Sequence, residues 1–562
     1  MVSSADLSEQ VQVMASGVEL KPFGRVWGTG GWLDPEYREA LDWVAMIRLL
    51  GWGVQVSVDR ISAGGRWLII GFSPDAVGEE ATAQIAAKLG DEHLLVVARA
   101  SRAGKPLGRL AGAVVAAGTV TGRMLKWTGP GVRRQWICRK PFSADVLSVS
   151  DSSKVWATLD GAPIIVAREE GRGTIATLAF HPSRARDANG AATALLRHML
   201  VCGRREPAAW LDFEDSLVLR MDDPGGAQNI YSESWRYAKL DQHAWQQVGG
   251  HLRKRNGKLS IGYVAGWVDD GDTDRGDLEI DGRPVERVPG AVHPSPLVRY
   301  QERSGTVHDY QSEFRGIQSL RVAGLAEVEL HGFTHIHPDR NAWLKASDRF
   351  SAVSWYRELG YATNGADPLE QGLAAFQLWF QARPSTLICP GDQWTNQVLE
   401  RAIDLQFDLV SSYYLAIRDS NRLLWATHVC APYLNHPEAA WFDSGLPVVA
   451  YFHDRELALE GPGWMDHWIG EWEAVGALRF LTLRELAAAL SRQLSFDAVT
   501  RTLSISDARA DASGPLRLGI YVPRGESCTV VLRSPKGTEP LTVEAHQDGF
   551  GRVTLPQSDT QS

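Results

Sequence analysis

Apolar and polar positions recur along this chain with two periods, and the switches between them outline its organisation. Over residues 35–52 apolar side chains return every three or four positions (Tyr37, Ala40, Leu41, Val44, Ile47, Leu50), which predicts a helix with one buried face. Short apolar runs at 54–58, 67–71 and 94–97 read as strands, with a helical stretch at 79–89 between the last two. Runs at 155–159, 163–167 and 173–180 predict further strands, and 189–201 a closing helix. Residues 1–20 read as a loose lead-in. Helices alternating with short strands predict an α/β layer domain over residues 1–209, with 204–209 as its exit linker.

From 210 to 493 the alternation continues. Strands are predicted at 259–264, 326–330, 385–388, 409–412 and 447–452, and helices at 312–322, 346–359, 368–382, 396–405, 463–475 and 482–492. Asp367 before Pro368 is a natural helix start, a cap followed by a residue that needs no N–H partner. Repeated strand–helix units of this kind predict a central (β/α) barrel of parallel strands, complete or distorted. After 494 no helical run remains. Short strands at 503–506, 516–522 and 528–532 predict a small β-sandwich over 494–562, with a polar tail after Pro556. The expected fold class is multidomain α/β.

Composition narrows the functional classes. A chain of 562 residues is too long for one core. A net charge of −9 supplies no basic surface, which argues against nucleic acid as the main partner. No apolar run reaches the length of a membrane span. No basic segment followed by an apolar core opens the chain, so no signal peptide is visible. The expectation is cytoplasmic as numbered, or secreted if a leader lies outside this numbering. The five cysteines are scattered, with no CxxC, which argues against a disulfide framework or a cysteine zinc site. Most are expected as small buried residues.

The chemistry concentrates at strand ends. Residues 216–221 form an apolar run that stops at Asp222 and Asp223, two carboxylates that need a cation, a shared proton or solvent beside them. His331 and His335, four apart, follow the apolar run 326–330. One carboxylate with two such imidazoles outlines a divalent-metal site. Read alone, each element is weak. An Asp-Asp after a strand is more often a turn or a helix cap, and a histidine pair can be a solvated turn. Asp222, Asp223, His331, Pro390 and His453 nevertheless all fall just past strand runs, where barrel enzymes carry their catalytic groups.

Together these motifs resemble the NodB-like polysaccharide deacetylases. Met221-Asp222-Asp223 resembles the family's strand-end pair, in which the first Asp is the base and the second a metal ligand. His331-Gly-Phe-Thr-His335 resembles its histidine motif. Cys389-Pro390-Gly391-Asp392 stands where the family has a Pro-rich loop with an oxyanion-binding N–H. The run 449–452, ending in His453-Asp454, resembles the strand carrying the catalytic histidine. The resemblance implies a metal-dependent hydrolase acting on an N-acetylated carbohydrate. Asp223, His331 and His335 would hold a divalent ion, zinc by preference. Asp222 would be the base, Gly391 the N–H donor, and His453 the acid, steadied by Asp454. Deacylation of a small N-acyl or O-acyl compound, and a catalytically silent carbohydrate-binding protein, are the alternatives.

Three features depart from the family pattern. The gap between the first two motifs implies an insertion at about 265–310. The Pro-rich loop carries Cys389 where an arginine normally orients the base, which leaves Arg220 or Arg383 to replace it. His337, ahead of Pro338, competes as a ligand, although the four-residue spacing favours His331 and His335. Within the insertion, Asp269, Asp270, Asp272 and Asp274 form an acidic turn that matches a calcium loop poorly and reads as solvated. Trp235, Trp267, Trp343, Trp394, Trp425 and Trp441 lie on or near predicted loops, where one or two could stack on sugar rings. The N-terminal region, through 171–182 and the helix after it, resembles the end of glutamine-amidotransferase-like domains, without a cysteine nucleophile on a strand-to-helix elbow.

Overall fold

The computed structural model describes residues 11–15, 35–58, 61, 66–182, 190–232, 235–345, 358–360, 367–392, 395–412, 415–419, 422–426, 429–432, 436–497, 502–506, 516–523, 528–534, 537–543 and 549–555. The N-terminal part is built on a nine-stranded sheet. Its spatial order is Val54–Val58, Val11–Ala15, Trp67–Ile70, Leu95–Arg99, Gly173–Leu178, Ala162–Glu170, Ser153–Leu159, Val115–Trp127, Arg134–Leu147. The first five strands are parallel and the rest antiparallel. Two elements differ from the hydropathy reading. Val11–Ala15, expected as lead-in, lies between two strands of the sheet. The hairpin of the last two strands gave no clear signal because it exposes one face, so few of its positions are apolar. The helices at Pro35–Leu49, Glu79–Asp91 and Ala191–Cys202 form where the 3.6-residue period places them.

The central sheet carries the motif residues. We label its strands β1 (Ser216–Asp222), β2 (Leu259–Tyr263), β3 (Ala326–Leu330), β4 (Thr386–Ile388), β5 (Leu409–Ser411) and β6 (Val448–His453). Their spatial order is β5-β4-β3-β2-β1-β6, all parallel. Val429–Pro432 extends the sheet beyond β6, and Leu415–Asp419 and Arg422–Ala426 turn back antiparallel beyond β5. Among the described residues no strand pair joins these two edges. All of β1 and β2 is buried, as expected for strands covered on both faces. Asp309 and Asp367 cap the helices Tyr310–Val322 and Pro368–Phe380 through their side chains. Of the predicted helix at 346–359, residues 346–357 lie outside the described residues, and Glu358–Gly360 form a single 3₁₀ turn.

The implied insertion is a small β module. Gly266–Val268 pairs with Val292–Pro294, and Gly276–Ile280 pairs with Arg283–Pro284 and Val298–Glu302. Its core packs Tyr231, Trp267, Tyr300, Tyr310 and Trp343, all essentially inaccessible. The acidic turn, expected from sequence as solvated, is so only in part: Asp274 is exposed and Asp272 half-buried, whereas Asp269 and Asp270 are buried and paired from within. Arg287 donates to Asp269 and Asp270 at 2.8 and 2.7 Å, and Arg275 to Asp270 at 3.0 Å.

The C-terminal strands form two sheets. Gln493–Asp497, Thr502–Ser506, Cys528–Ser534 and Gly537–Val543 make one. The other pairs Leu516–Tyr521 with Phe550–Leu555 and with Ala208–Leu211. The last two residues of the expected linker, Ala208 and Ala209, therefore begin a strand of the C-terminal sheet, because the Ala-Ala-Trp-Leu run is buried there.

Candidate metal centre

The parallel register brings the site together. Asp222, the last residue of β1, is the direct partner of His453, the last residue of β6, so two distant motifs meet one strand spacing apart. Tyr263 ends β2 opposite Leu330, which ends β3 one residue before His331. Gly262 leaves room between them: a Cβ there would stand 3.3 Å from both Asp222 Oδ1 and the His331 side chain.

Asp223 follows β1 with φ of +86°, a conformation costly for a residue with a Cβ. The turn is fixed from behind. Lys239 Nζ donates to the Asp223 carbonyl at 3.3 Å, and Gly225 N–H to Glu313 Oε2 at 2.8 Å. This aims the Asp223 carboxylate at the histidine turn, where Oδ1 lies 3.4 Å from both His331 Nε2 and His335 Nε2. All three residues are buried, and among the described residues this is the cluster with metal-ligand spacing. Burial pushes the Asp223 carboxyl up. The imidazoles of His331, His335 and His453 outweigh it and hold the group well below the usual carboxylate range.

The donor set fits a divalent ion. His331 Nδ1 lies 3.1 Å from the Ile388 carbonyl, which only accepts, so Nδ1 carries the ring proton. In the neutral ring Nε2 is then a lone pair. It is buried, has no hydrogen-bond partner, and faces a carboxylate oxygen. Two acceptors facing each other in a dry site call for a cation between them, a proton or a metal ion. Burial pushes the His331 imidazole down, but Asp222 and Asp223 outweigh it and push it up. An imidazole whose far N–H is spent on a carbonyl is the usual form of a metal ligand. Burial and the neighbouring His331 push the His335 imidazole down to about 4, which keeps it neutral and able to ligate. His337 spends Nδ1 on the Asp339 backbone and lies outside the cluster.

Glu358 shapes the turn that presents the two histidines. Its buried carboxylate accepts from the N–H groups of Phe333, Thr334 and His335, at 2.7, 3.0 and 3.3 Å, and from Thr334 Oγ1 at 2.7 Å. Gly332 is required beside it. Its φ is +71°, and a Cβ there would stand 2.4 Å from Pro390 Cγ and 2.6 Å from Glu358 Oε2. Gly332→Ala is expected to destabilise the protein by at least about 2 kcal/mol, from left-handed strain plus overpacking. A lowered urea midpoint with reduced metal retention would show this, and an unchanged midpoint would contradict it.

Asp222 is held by Arg220. The two alternate onto the same face of β1, as positions i and i+2 must. Arg220 Nε lies 3.0 and 3.2 Å from the two oxygens of Asp222, and Nη2 lies 2.5 Å from Oδ2. Its remaining donors reach Ser411 Oγ, the Ser412 carbonyl and Asp392 Oδ1, and its guanidinium lies 4.9 Å over the Tyr451 ring. Arg383, the other residue left open by sequence, donates instead to the Leu405 carbonyl. Cys389 is buried, and burial pushes its thiol up, so it carries no charge there. The contact to Asp392 ties the turn that carries Gly391 to the same guanidinium.

His453 is held by Glu456, not by Asp454. Glu456 Oε2 accepts from the His453 N–H at 2.6 Å and lies 3.3 Å from its Nδ1, a capping box at the start of Asp454–Glu460. Burial pushes the His453 imidazole down, but Glu456 and Asp223 outweigh it and bring it up to about 9. Asp454 turns inward, fully buried, to Lys239 Nζ at 2.7 Å and to the Tyr237 hydroxyl. Trp235 stands edge-on to His453 at 4.8 Å, with Nε1 3.3 Å from Asp223 Oδ2, and is the half-buried aromatic at the site. Trp267, Trp343 and Trp441 are core residues, and Trp394 lies outside the described residues.

No family model matches this chain, and no curated protein matches it. Among solved structures, the carbohydrate deacetylase Agd3 is similar over 98% of both chains, at 11% identity and a TM-score of 0.44. A CE4 family pseudoenzyme from Bacillus anthracis is similar over 49% of this chain and 66% of its own, at 10% identity and a TM-score of 0.24. A Mycobacterium smegmatis protein assigned as a polysaccharide deacetylase is similar over 50% of this chain and 92% of its own, at 12% identity and a TM-score of 0.30.

Proposed function

We propose that this chain is a metal-dependent hydrolase that removes N-acetyl groups from an amino-sugar polymer or oligosaccharide. The observation that carries the reading is the convergence, at one end of one sheet, of the buried Asp223–His331–His335 triad, the Arg220-clamped Asp222 and the Glu456-held His453. An ion held by the triad, zinc by preference, would supply Lewis acidity toward an acyl oxygen and a water. Asp222, with one face closed by Arg220, accepts the proton of the attacking water. The Gly391 N–H is the chain's own donor for the developing oxyanion, since Pro390 has none and the Asp392 N–H is spent on the Cys389 carbonyl. His453 donates a proton to the departing nitrogen, since an amine leaves poorly without one. Arg220 takes the place of the family's loop arginine, which weighs against a catalytically silent carbohydrate-binding protein. The carbohydrate substrate follows from the motif resemblance.

Purified protein is expected to retain about one divalent ion per chain and to release acetate from chitooligosaccharides or galactosamine polymers. Asp223→Asn and His335→Ala are expected to lose both. Metal-loaded protein that released acetate from no amino sugar, yet deacylated small N-acyl or O-acyl compounds, would move the substrate class. A protein that bound no metal would overturn the reading.

A further inference from the structure

A second polar cavity lies far from the strand ends that carry the metal site. It has a volume of about 150 Å³ and sits where three parts of the chain meet. Arg134 enters it from the N-terminal hairpin, Arg197 from the helix Ala191–Cys202, Arg552 from the C-terminal strand Phe550–Leu555, and Asp212 and Glu214 from the segment before β1. Three guanidiniums thus face two carboxylates. Those carboxylates are already engaged. Asp212 Oδ2 lies 3.0 Å from Arg552 Nε and 2.9 Å from Arg517 Nε, and Glu214 pairs with Arg552 and lies 3.9 Å from Arg134.

Arg197 is the cation left over. It donates to the Gly445 carbonyl, and no carboxylate among the described residues lies within ion-pair distance of it. A guanidinium has five N–H donors in a fixed fork, so most of its capacity remains. Burial lowers the Arg197 guanidinium to about 10; nearby Asp212 opposes the fall while Arg134 and Arg552 add to it, and burial and Arg134 hold neighbouring His198 near 3, neutral.

We infer that this cavity is a binding site for a small oxyanion, a phosphate or a short carboxylate, held by Arg197 with Arg134 and Arg552. Paired oxygens match the guanidinium fork in either case, and the volume admits an anion of a few heavy atoms rather than a sugar chain. An anion here would draw together the hairpin, the helix and the C-terminal strand. The inference is independent of the proposed deacetylase activity.

The test is calorimetric titration of the full chain with inorganic phosphate at constant ionic strength, in an Asp223→Asn background so that the metal centre takes no part. The expected result is one saturable site per chain, weakened about tenfold or more in both Arg197→Gln and Arg552→Gln. The Arg552 side chain is half exposed, so its variant keeps the test valid if the Arg197 variant fails to fold. Succinate displacing phosphate would assign the short-carboxylate class, and phosphate binding undisturbed by succinate would assign a phosphate. No saturable binding of either anion, or binding unchanged in the folded variants, would overturn the inference.

Discussion

Asp222→Asn is expected to keep the ion and lose turnover by about three orders of magnitude, within the span that general-base catalysis supplies. The reasoning is geometric. Asp222 commits its carboxylate to the Arg220 fork, whereas Asp223 faces the two imidazoles. An amide in place of Asp222 retains the shape and removes the base. Metal content of the purified variant, read beside its kcat, checks both halves at once. Loss of the ion would mean that the two carboxylates have exchanged roles. Arg220→Lys gives the companion result. A point charge cannot reproduce a two-point fork, so kcat is expected to fall more than KM rises. If KM alone changed, Arg220 would belong to substrate binding and not to the orientation of the base.

The same residues show what the sequence made legible. Each strand of the parallel sheet is short, buried and rich in apolar residues, and each ends where its motif begins. Local pattern therefore located β1, β2, β3 and β6 and the order of the motifs along the chain. What it could not rank were partners chosen by tertiary contact. Arg220 was visible as one of two candidates. The period of two along β1 favours it, because positions 220 and 222 share a face, but only the fold shows Arg383 turned away. Glu456 was readable in principle, as the N3 acid of a helix beginning at His453, but Asp454 stood nearer in sequence. Glu358 clamps a turn more than twenty residues away, and no local rule links a carboxylate to three remote N–H groups. The acidic turn misled in part for a related reason. Its two buried aspartates are paired by Arg287, which a local reading of the aspartates alone does not include.

Lys239→Met is the substitution expected to cost the fold most, about 3–5 kcal/mol, because it strips the cation from a dry cluster. The Lys239 side chain is fully buried. It lies 2.7 Å from Asp454 Oδ2 and 3.6 Å from Glu313 Oε1, two carboxylates equally cut off from water. Burial pushes both carboxyls up, and one lysine is shared between them, so the cluster already sits at the edge of what its charge can balance. Methionine fills a similar volume and leaves both acids facing an apolar chain. The consequence reaches the site, since Lys239 also donates to the carbonyl of Asp223, the residue held at positive φ, and Glu313 fixes the N–H of Gly225 two residues on. A carboxylate on a backbone strained in this way keeps its aim only while its peptide is pinned on both sides. Chemical denaturation is therefore expected to show a large drop in midpoint together with weaker metal retention. Lys239→Met with Asp454→Asn removes one charge of each sign, and should recover much of the midpoint without recovering metal retention. A single variant as stable as the parent would show that the two buried acids are neutral without the lysine. A double variant that regained the ion in full would show that Asp223 holds its turn unaided.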